Sequence, residues 1–502
     1  MKKLVFSLLC LISLAACKKN NESPAEVFAN EDPTTYQEIA TLNLGGLGSA
    51  EITAYDEQTK RLFAVNNGSV NKIDVIDLSN PATPRVIHSI PMAQYGGFVN
   101  SVDVSNGRLA AAIENTNKQA PGEVVIFNTA TYAVITEVVV GALPDMVTYS
   151  PDGNLIITAN EGEPNDNYSV DPEGSISIIE VNNNYRVTTL NFAAFTARVN
   201  TLRSQGFRVF APHGDMVRDI EPEYVSVSPD SKTAYVTLQE NNGIAVVDLA
   251  TKTILRIMPL GFKNYNFANN AIDASDRDNT VAFTTRPAFG MYQPDAIATM
   301  VLNGVPYLFT ANEGDGREYA GFNEMRRVSQ LTLDPTNFPT AATLRTDAQL
   351  GRLNVTNTLG DTDGDGDFDA LYSLGARSFS IWNGNSGDLL FDSRNELDTR
   401  ARQLMIYDDA RSDDKGVEPE AITLGKIGTN TFAFIGLERA DAFAIYNVTD
   451  PLNPVFVRMF GTGDAPEGLL FIDSKRSPIG QSLVIVASEN DGNIKIYRAN
   501  KL

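Results

Sequence analysis

Histidine and cysteine are nearly missing from this chain of 502 residues, which has two of each and one tryptophan. A zinc site built from His and Cys therefore lacks its ligands. A disulfide-stapled scaffold is excluded as well. Basic residues are outnumbered: 40 Lys and Arg stand against 62 Asp and Glu, a net charge of −22. Such a chain does not carry the basic surface that meets phosphates, so no nucleic-acid partner is expected. No Gly-x-Ser-x-Gly elbow is present, and no glycine-rich phosphate cradle follows a strand. Helical periodicity is scarce; residues 193–205 give the best case, and they interrupt a series of strands. The length exceeds what one conventional core holds, which points to several domains or a fold that grows by repetition.

The first residues read as an export signal. Met1-Lys2-Lys3 is positive, and Leu4 to Ala16 is apolar and uncharged. That run is too short to span a bilayer comfortably and matches a signal peptide, 1–16. It ends in Leu14-Ala15-Ala16-Cys17, which resembles a bacterial lipobox, so Cys17 is the expected lipidation site and membrane contact. Ordinary signal cleavage beside an incidental cysteine is the alternative. Residues 17–34 read as a polar tether with little to bury. The expected location is the cell envelope, on an outer membrane and facing the periplasm or the cell surface.

The remainder of the chain is repetitive. Aliphatic runs ending in a small residue and an acid or Asn recur, as in Leu155-Ile156-Ile157-Thr158-Ala159-Asn160-Glu161 and Leu483-Val484-Ile485-Val486-Ala487-Ser488-Glu489. Each run leads into a Gly/Asn turn and a second aliphatic strand. Short strands in units of about 40 to 50 residues are the signature of a propeller. Residues 35–502 are therefore read as all-β, a seven-bladed β-propeller with insertions in blades three to five. The blades fall near 45–97, 98–141, 142–217, 218–290, 291–414, 415–462 and 463–500. The seventh lacks an outer strand, and Glu38 to Leu44 is a spare strand that could close the ring. An array of β-sandwiches is the structural alternative.

Acids recur in register. From the second blade onward, one position lies on the first strand: Asp103, Asp145, Glu223, Asp295, Glu420 and Glu467. Another ends the next strand: Glu114, Glu161, Glu240, Glu313, Glu438 and Glu489, with Asn66 and Asn67 in blade one. This register predicts one mouth of the channel ringed by carboxylates, which raise one another's pKa and favour a neutralising cation. Hard oxygen donors suit calcium or magnesium. The alternative is that each acid accepts backbone N–H groups of the next blade and only staples the ring. Arg286, Arg317 and Arg439 could pair with some of these acids.

Asp361-Thr362-Asp363-Gly364-Asp365-Gly366-Asp367-Phe368-Asp369 puts five carboxylates at alternating positions. These are the first nine positions of an EF-hand-like calcium loop, without a Glu at the twelfth, where Tyr372 stands. The loop falls in an insertion around 350–404 and is expected to clamp it. The only tryptophan, Trp382, lies nearby and is expected in the core. Of the two histidines, His88 falls in an outer strand. His213 comes after Ala211-Pro212, close to Glu221-Pro222-Glu223, and is the one candidate for proton transfer at the acidic mouth.

Asp413-Asp414-Lys415-Gly416-Val417-Glu418-Pro419-Glu420, then Phe434-Ile435-Gly436-Leu437-Glu438-Arg439, resemble the choice-of-anchor I family. So do Tyr446-Asn447-Val448-Thr449-Asp450-Pro451, Ala465-Pro466-Glu467-Gly468 and Ala487-Ser488-Glu489-Asn490. That family is similar to mesenchyme-specific cell surface glycoproteins linked to biomineralisation. The resemblance implies a seven-bladed propeller outside the cytoplasm; the family's Gly-Gly after Leu-Glu-Arg is replaced here by Asp441-Ala442. Two functions fit. The first is a membrane-anchored, calcium-binding surface or periplasmic module that takes a protein, glycan or mineral. The second is a calcium-dependent phosphoesterase, alkaline phosphatase-like or phytase-like. Its ligands would be Glu221, Glu223, Glu240, Glu313, Glu420 and Glu438, with Arg317 and Arg439 on the phosphate ester and His213 moving a proton.

Overall fold

The computed structural model describes residues 27–502. The signal segment 1–16 and Cys17 lie outside the described residues, as does most of the tether. Seven four-stranded antiparallel sheets contain most of the strands. Their first strands are Thr53–Asp56, Val99–Ser105, Pro144–Tyr149, Val225–Val227, Ile297–Leu302, Pro419–Ile427 and Pro466–Ile472. Each touches the first strand of the next sheet, and the seventh touches the first, so they form a closed cycle. The arrangement is propeller-like.

The packing explains why the second and third strands lose the usual alternation of polar and apolar residues. Leu62-Phe63-Ala64-Val65 are all fully buried, because each sheet is covered on both faces by its neighbours. Phe63 and Val65 pack against the second sheet, with Leu109 and Phe127. Leu62 and Ala64 face the seventh, with Ile485 and Ile496. Five further clusters join the remaining pairs of neighbours, so every interface around the ring has its own apolar core. Outer strands are exposed; Arg85–Pro91 is open along most of its length.

The last sheet is completed by the other end of the described chain. Glu31–Asn43 pairs antiparallel with Asn493–Lys501, from Glu31 opposite Lys501 to Asn43 opposite Asn493. This is the spare strand, longer than the sequence indicates. Residues 31–34, which the composition assigns to the tether, are strand instead. Tyr36 anchors it, buried edge-on against Phe434, with its hydroxyl 2.8 Å from Ser482 Oγ. The buried Glu31 carboxylate accepts the Ser482 backbone N–H at 2.9 Å.

The excursions also fall differently from the expected 350–404. Ser378–Asn383 pairs with Val305–Asn312 and is the third strand of the fifth sheet, so the insertion between them is 313–377. Trp382 belongs to this strand; it is buried, and its Nε1 donates to Thr310 Oγ1 at 3.0 Å. The insertion shares a separate apolar core with residues beyond the fourth sheet, Tyr265, Ile272 and Ala288 among them. The helical signal near 193–205 takes the form of two short turns, Ala193–Arg198 and Val199–Arg203.

Candidate metal centre at the axial mouth

The first strands line an axial cavity of about 510 Å³. Its acids come from two recurring positions, and one of them depends on a bulge. The third sheet skips register between Pro144 and Met146, the sixth between Pro419 and Ile422, and the seventh between Pro466 and Gly468. A bulge adds a residue and re-aims its side chain. Here it aims Asp145, Glu420 and Glu467 into the cavity. Glu223 and Asp295 stand at the same place in the fourth and fifth sheets, where Glu223 N donates to Thr237 O and Ala311 N to Ala296 O. In the first sheet the position is Glu51, in a recess that continues the mouth.

The second sheet departs from the sequence reading. Its register skips between Val99 and Ser101, so Asn100 holds the bulge position, and Asp103 lies further down the strand. Asp103 Oδ2 accepts the backbone N–H of Tyr149 in the neighbouring sheet at 2.7 Å. It is a staple. Amides do similar work nearby: Asn67 Nδ2 donates to Val99 O at 2.8 Å, and Asn100 Nδ2 to Pro144 O at 3.2 Å.

The second acidic position comes just after the last residue of each second strand: Glu114, Glu161, Glu313, Glu438 and Glu489. In the fourth sheet Thr233–Leu238 is succeeded by Gln239, which lines the cavity and donates to Glu313 Oε2 at 2.8 Å. Glu240, expected there, is one residue beyond. Burial, chiefly, holds Glu240 up at about 7. Glu313 is positioned by a close backbone crossing. A Cβ on Gly314 would lie 2.0 Å from Gly375 N, and both glycines have positive φ, so the insertion can leave and return through one narrow neck.

Two groups of three carboxylates form at this mouth, each with oxygens within 4.8 Å of one another: Asp145, Glu161 and Glu223, and Glu313, Glu418 and Glu438. Their surroundings differ. Lys415 pairs with Glu313 and, at 3.2 Å, with Glu418. Arg411 lies 2.6 Å from Glu418, and Arg439 lies 2.8 Å from Glu438. The second group is thus neutralised from within. Among the described residues, no Lys or Arg makes an ion pair with Asp145, Glu161 or Glu223. Burial, then the charge of Glu223, lifts Glu161 well above the usual carboxylate range. Burial, then Asp145, does the same to Glu223. Asp145 is pushed up to about 6, mainly by burial. Crowded carboxylates without a base need either protons or a cation. The donors are all oxygen, the set that calcium and magnesium take.

Several expected site residues are occupied elsewhere. Arg317 is buried; it lies 2.5 Å from Asp219 and 2.9 Å from Glu221, and stacks on Phe210 at 4.6 Å. Its donors are engaged, so it does not reach a phosphate, and Glu221 is its counter-ion rather than a free ligand. Likewise His213 does not line the axial cavity. It sits exposed on the insertion after the third sheet, with Nε2 3.1 Å from Tyr168 O. His88 stacks on Tyr132 at 4.5 Å. Arg286 donates to Gln349 Oε1 at 2.9 Å. Glu420 and Arg439 do line the cavity, and Glu420 Oε2 is buried there without a hydrogen-bond partner.

The aspartate loop divides. Asp361, Asp363 and Asp365 form one group, whereas Asp367 and Asp369 join Asp334 in another. The cause is the backbone between them. Phe368 N donates to Thr332 O at 2.9 Å, and Asp334 N to Phe368 O at 3.1 Å, which fastens this half of the loop to an upstream segment. A single five-aspartate wrap is therefore not formed. Asp361 accepts Gly364 N at 2.7 Å and Gly366 N at 3.1 Å, so the first half keeps a tight turn.

The sequence pattern of the choice-of-anchor I domain matches residues 51–451. The chain belongs to the choice-of-anchor I family. Two animal proteins are similar to it. Gigasin-3a of Magallana gigas is 30% identical over 190 residues, 31% of this chain and 66% of that protein. The mesenchyme-specific cell surface glycoprotein of Strongylocentrotus purpuratus is 27% identical over 348 residues, 58% of this chain and 44% of that one. The chain thus spans less than two thirds of the length of either relative. Among solved structures, Kuenenia stuttgartiensis hydrazine synthase aligns over 90% of this chain and 96% of its own, at a TM-score of 0.49 and 12% identity. The Myceliophteria thermophila Cps50 (Swd1) β-propeller domain aligns over 93% and 100%, at 0.46 and 9%. Among the described residues of this family member, no helix is long and apolar enough to cross a membrane.

Proposed function

We propose that this choice-of-anchor I protein is an extracytoplasmic seven-bladed β-propeller that binds calcium at its axial mouth and serves as a binding module, held to a membrane through lipidated Cys17. Seven sheets in a closed cycle support the blade count. The observation that carries the metal reading is the Asp145, Glu161 and Glu223 group, three carboxylates within 4.8 Å that make no ion pair with a Lys or Arg among the described residues. Glu420 and Glu467 stand in the same cavity as further oxygen donors. The Asp361, Asp363 and Asp365 group is a second, exposed calcium site. The cell-surface glycoprotein among the relatives agrees with a location outside the cytoplasm.

Calorimetric titration of the purified protein with calcium tests the reading. Binding is expected in the wild type, and Glu223→Gln should weaken the mouth site by about tenfold or more, the usual scale for losing a charged ligand. Wild-type calcium affinity and stoichiometry in both Glu223→Gln and a Glu161→Gln, Glu223→Gln double variant would refute it.

One observation favours a second reading, a calcium-dependent phosphoesterase: Arg439 lines the same cavity as the acids, and Lys415 is paired at its edge. A divalent ion at the carboxylates would supply Lewis-acid chemistry, and Arg439 would hold a phosphate oxygen. Without cations this mouth repels phosphate, which is why binding comes first. Bis-p-nitrophenyl phosphate should be hydrolysed in calcium, and slowly by Arg439→Met, if this second reading holds.

A further inference from the structure

A cavity roomier than the acidic mouth lies elsewhere in the described residues. It is a cleft of about 990 Å³ at the periphery, between the segment beyond the fourth sheet and the outer strand and helix of the fifth, Leu389–Asp392 and Glu396–Leu404. Its wall carries Asn264, Phe267, Asn269, Asn270, Arg394 and Gln403. A smaller recess of about 380 Å³ shares Phe267, Asn269, Asn270 and Arg394 with it.

Arg394 distinguishes this wall. Its φ is +59°, a left-handed conformation that costs an L residue free energy. Three contacts hold it there. Its N–H donates to Asp392 Oδ1 at 2.5 Å, its carbonyl accepts from Lys263 Nζ at 2.8 Å, and Asn395 Nδ2 ties the next residue to Ala271 O at 3.1 Å. The guanidinium itself is exposed and, among the described residues, has no ion pair or hydrogen bond. The other charges on the wall are compensated. Lys263 is 3.0 Å from Asp392, and Arg400 is 2.9 Å from Glu396. A chain of net charge −22 thus presents, from a backbone position held on three sides, a cation without an ion pair among the described residues at this cleft.

The rest of the wall is built of amides and one aromatic ring. Asn264 Oδ1 accepts Asn266 N at 2.8 Å and Asn270 Nδ2 donates to Asn264 O at 2.9 Å, so among the described residues Asn264 Nδ2 and Asn270 Oδ1 have no hydrogen-bond partner on a wall both residues line. Phe267 is 64% exposed, an apolar ring standing at the edge of a polar cleft. Amides donate and accept together, which matches vicinal hydroxyls. An exposed ring offers a face to the C–H side of a sugar, and Arg forks onto a carboxylate.

We infer that this cleft binds an acidic saccharide, with Arg394 on a uronate carboxylate, Phe267 against the sugar face and the asparagine amides on the hydroxyls. The site is separate from the mouth and needs no metal. The test is calorimetry of the full protein in EDTA with tetragalacturonate, against neutral maltotetraose and a tetraglutamate peptide. The wild type should bind tetragalacturonate alone. Arg394→Gly should weaken binding by about tenfold, as loss of a charge-assisted pair does, without lowering the melting temperature, because glycine is at ease with positive φ. Phe267→Ala should weaken it as well. Absence of tetragalacturonate binding, equal binding of maltotetraose or of tetraglutamate, or unchanged affinity in a folded Arg394→Gly would each overturn the proposal. Persistence of binding in EDTA keeps this result independent of the calcium reading.

Discussion

At the scale of single residues, the decisive matter is which acids already have a base. Glu221 and Glu223 are two residues apart, yet Glu221 is clamped by Arg317 and Glu223 faces Asp145 and Glu161. Truncating Arg317 would leave Asp219 and Glu221 buried and unpaired. Arg317→Met should therefore destabilise the protein by about 3–5 kcal/mol in urea unfolding, the scale for breaking a buried ion pair from one side. Calcium affinity at the mouth should remain. A wild-type-like stability for Arg317→Met would contradict this assignment.

At the scale of elements, the recurring strand that ends in a small residue and an acid is legible directly in the sequence. Leu155–Asn160 and Leu483–Ser488 conform to it, and the strand that completes the last sheet is legible too. The bulges are not legible, because a bulge is set by how two strands pair and not by either strand's residue types. Hence the spacing aligns Asp103 with the bulge acids where Asn100 stands, while Asp103 lines the cavity from further down the strand, and it passes over Glu51. Nor does spacing reveal Asp334, which reaches Asp367 and Asp369 only through the pairing of Phe368 with an upstream segment. The role of Arg317 is hidden for a related reason: its partners, Asp219 and Glu221, lie far away in sequence. The closing strand also carries a prediction. Tyr36 packs on Phe434 and Phe460, at 5.9 and 6.2 Å between ring centroids. Tyr36→Ala should cost about 3–5 kcal/mol, as large aromatic truncations do, and should open the seventh sheet's edge to association, read by unfolding and light scattering.

At the scale of the whole molecule, seven inter-sheet cores support a ring whose centre is acidic. Burial, and then the charge of Glu489, pushes Glu51 up to about 8; burial pushes Asp315 to about 8 against the pull of Lys415. An unfolded chain releases these protons near pH 4, whereas the folded one keeps them until about pH 8. The folded state binds more protons in that window, so stability falls as pH rises through it. In EDTA the melting temperature should be several degrees lower at pH 8.5 than at pH 5.5, and calcium should restore it at pH 8.5, since a ligand that binds only the folded state stabilises it. A melting temperature that is flat or rises over this range in EDTA would contradict the account of the acidic centre.

The most direct measurement is a crystal structure of the calcium-loaded protein with anomalous scattering recorded for the ion. The expected result is an anomalous peak about 2.3–2.6 Å from oxygens of Asp145, Glu161 and Glu223, the range for calcium–oxygen bonds. Full calcium loading with no peak between these three carboxylates would contradict the central claim.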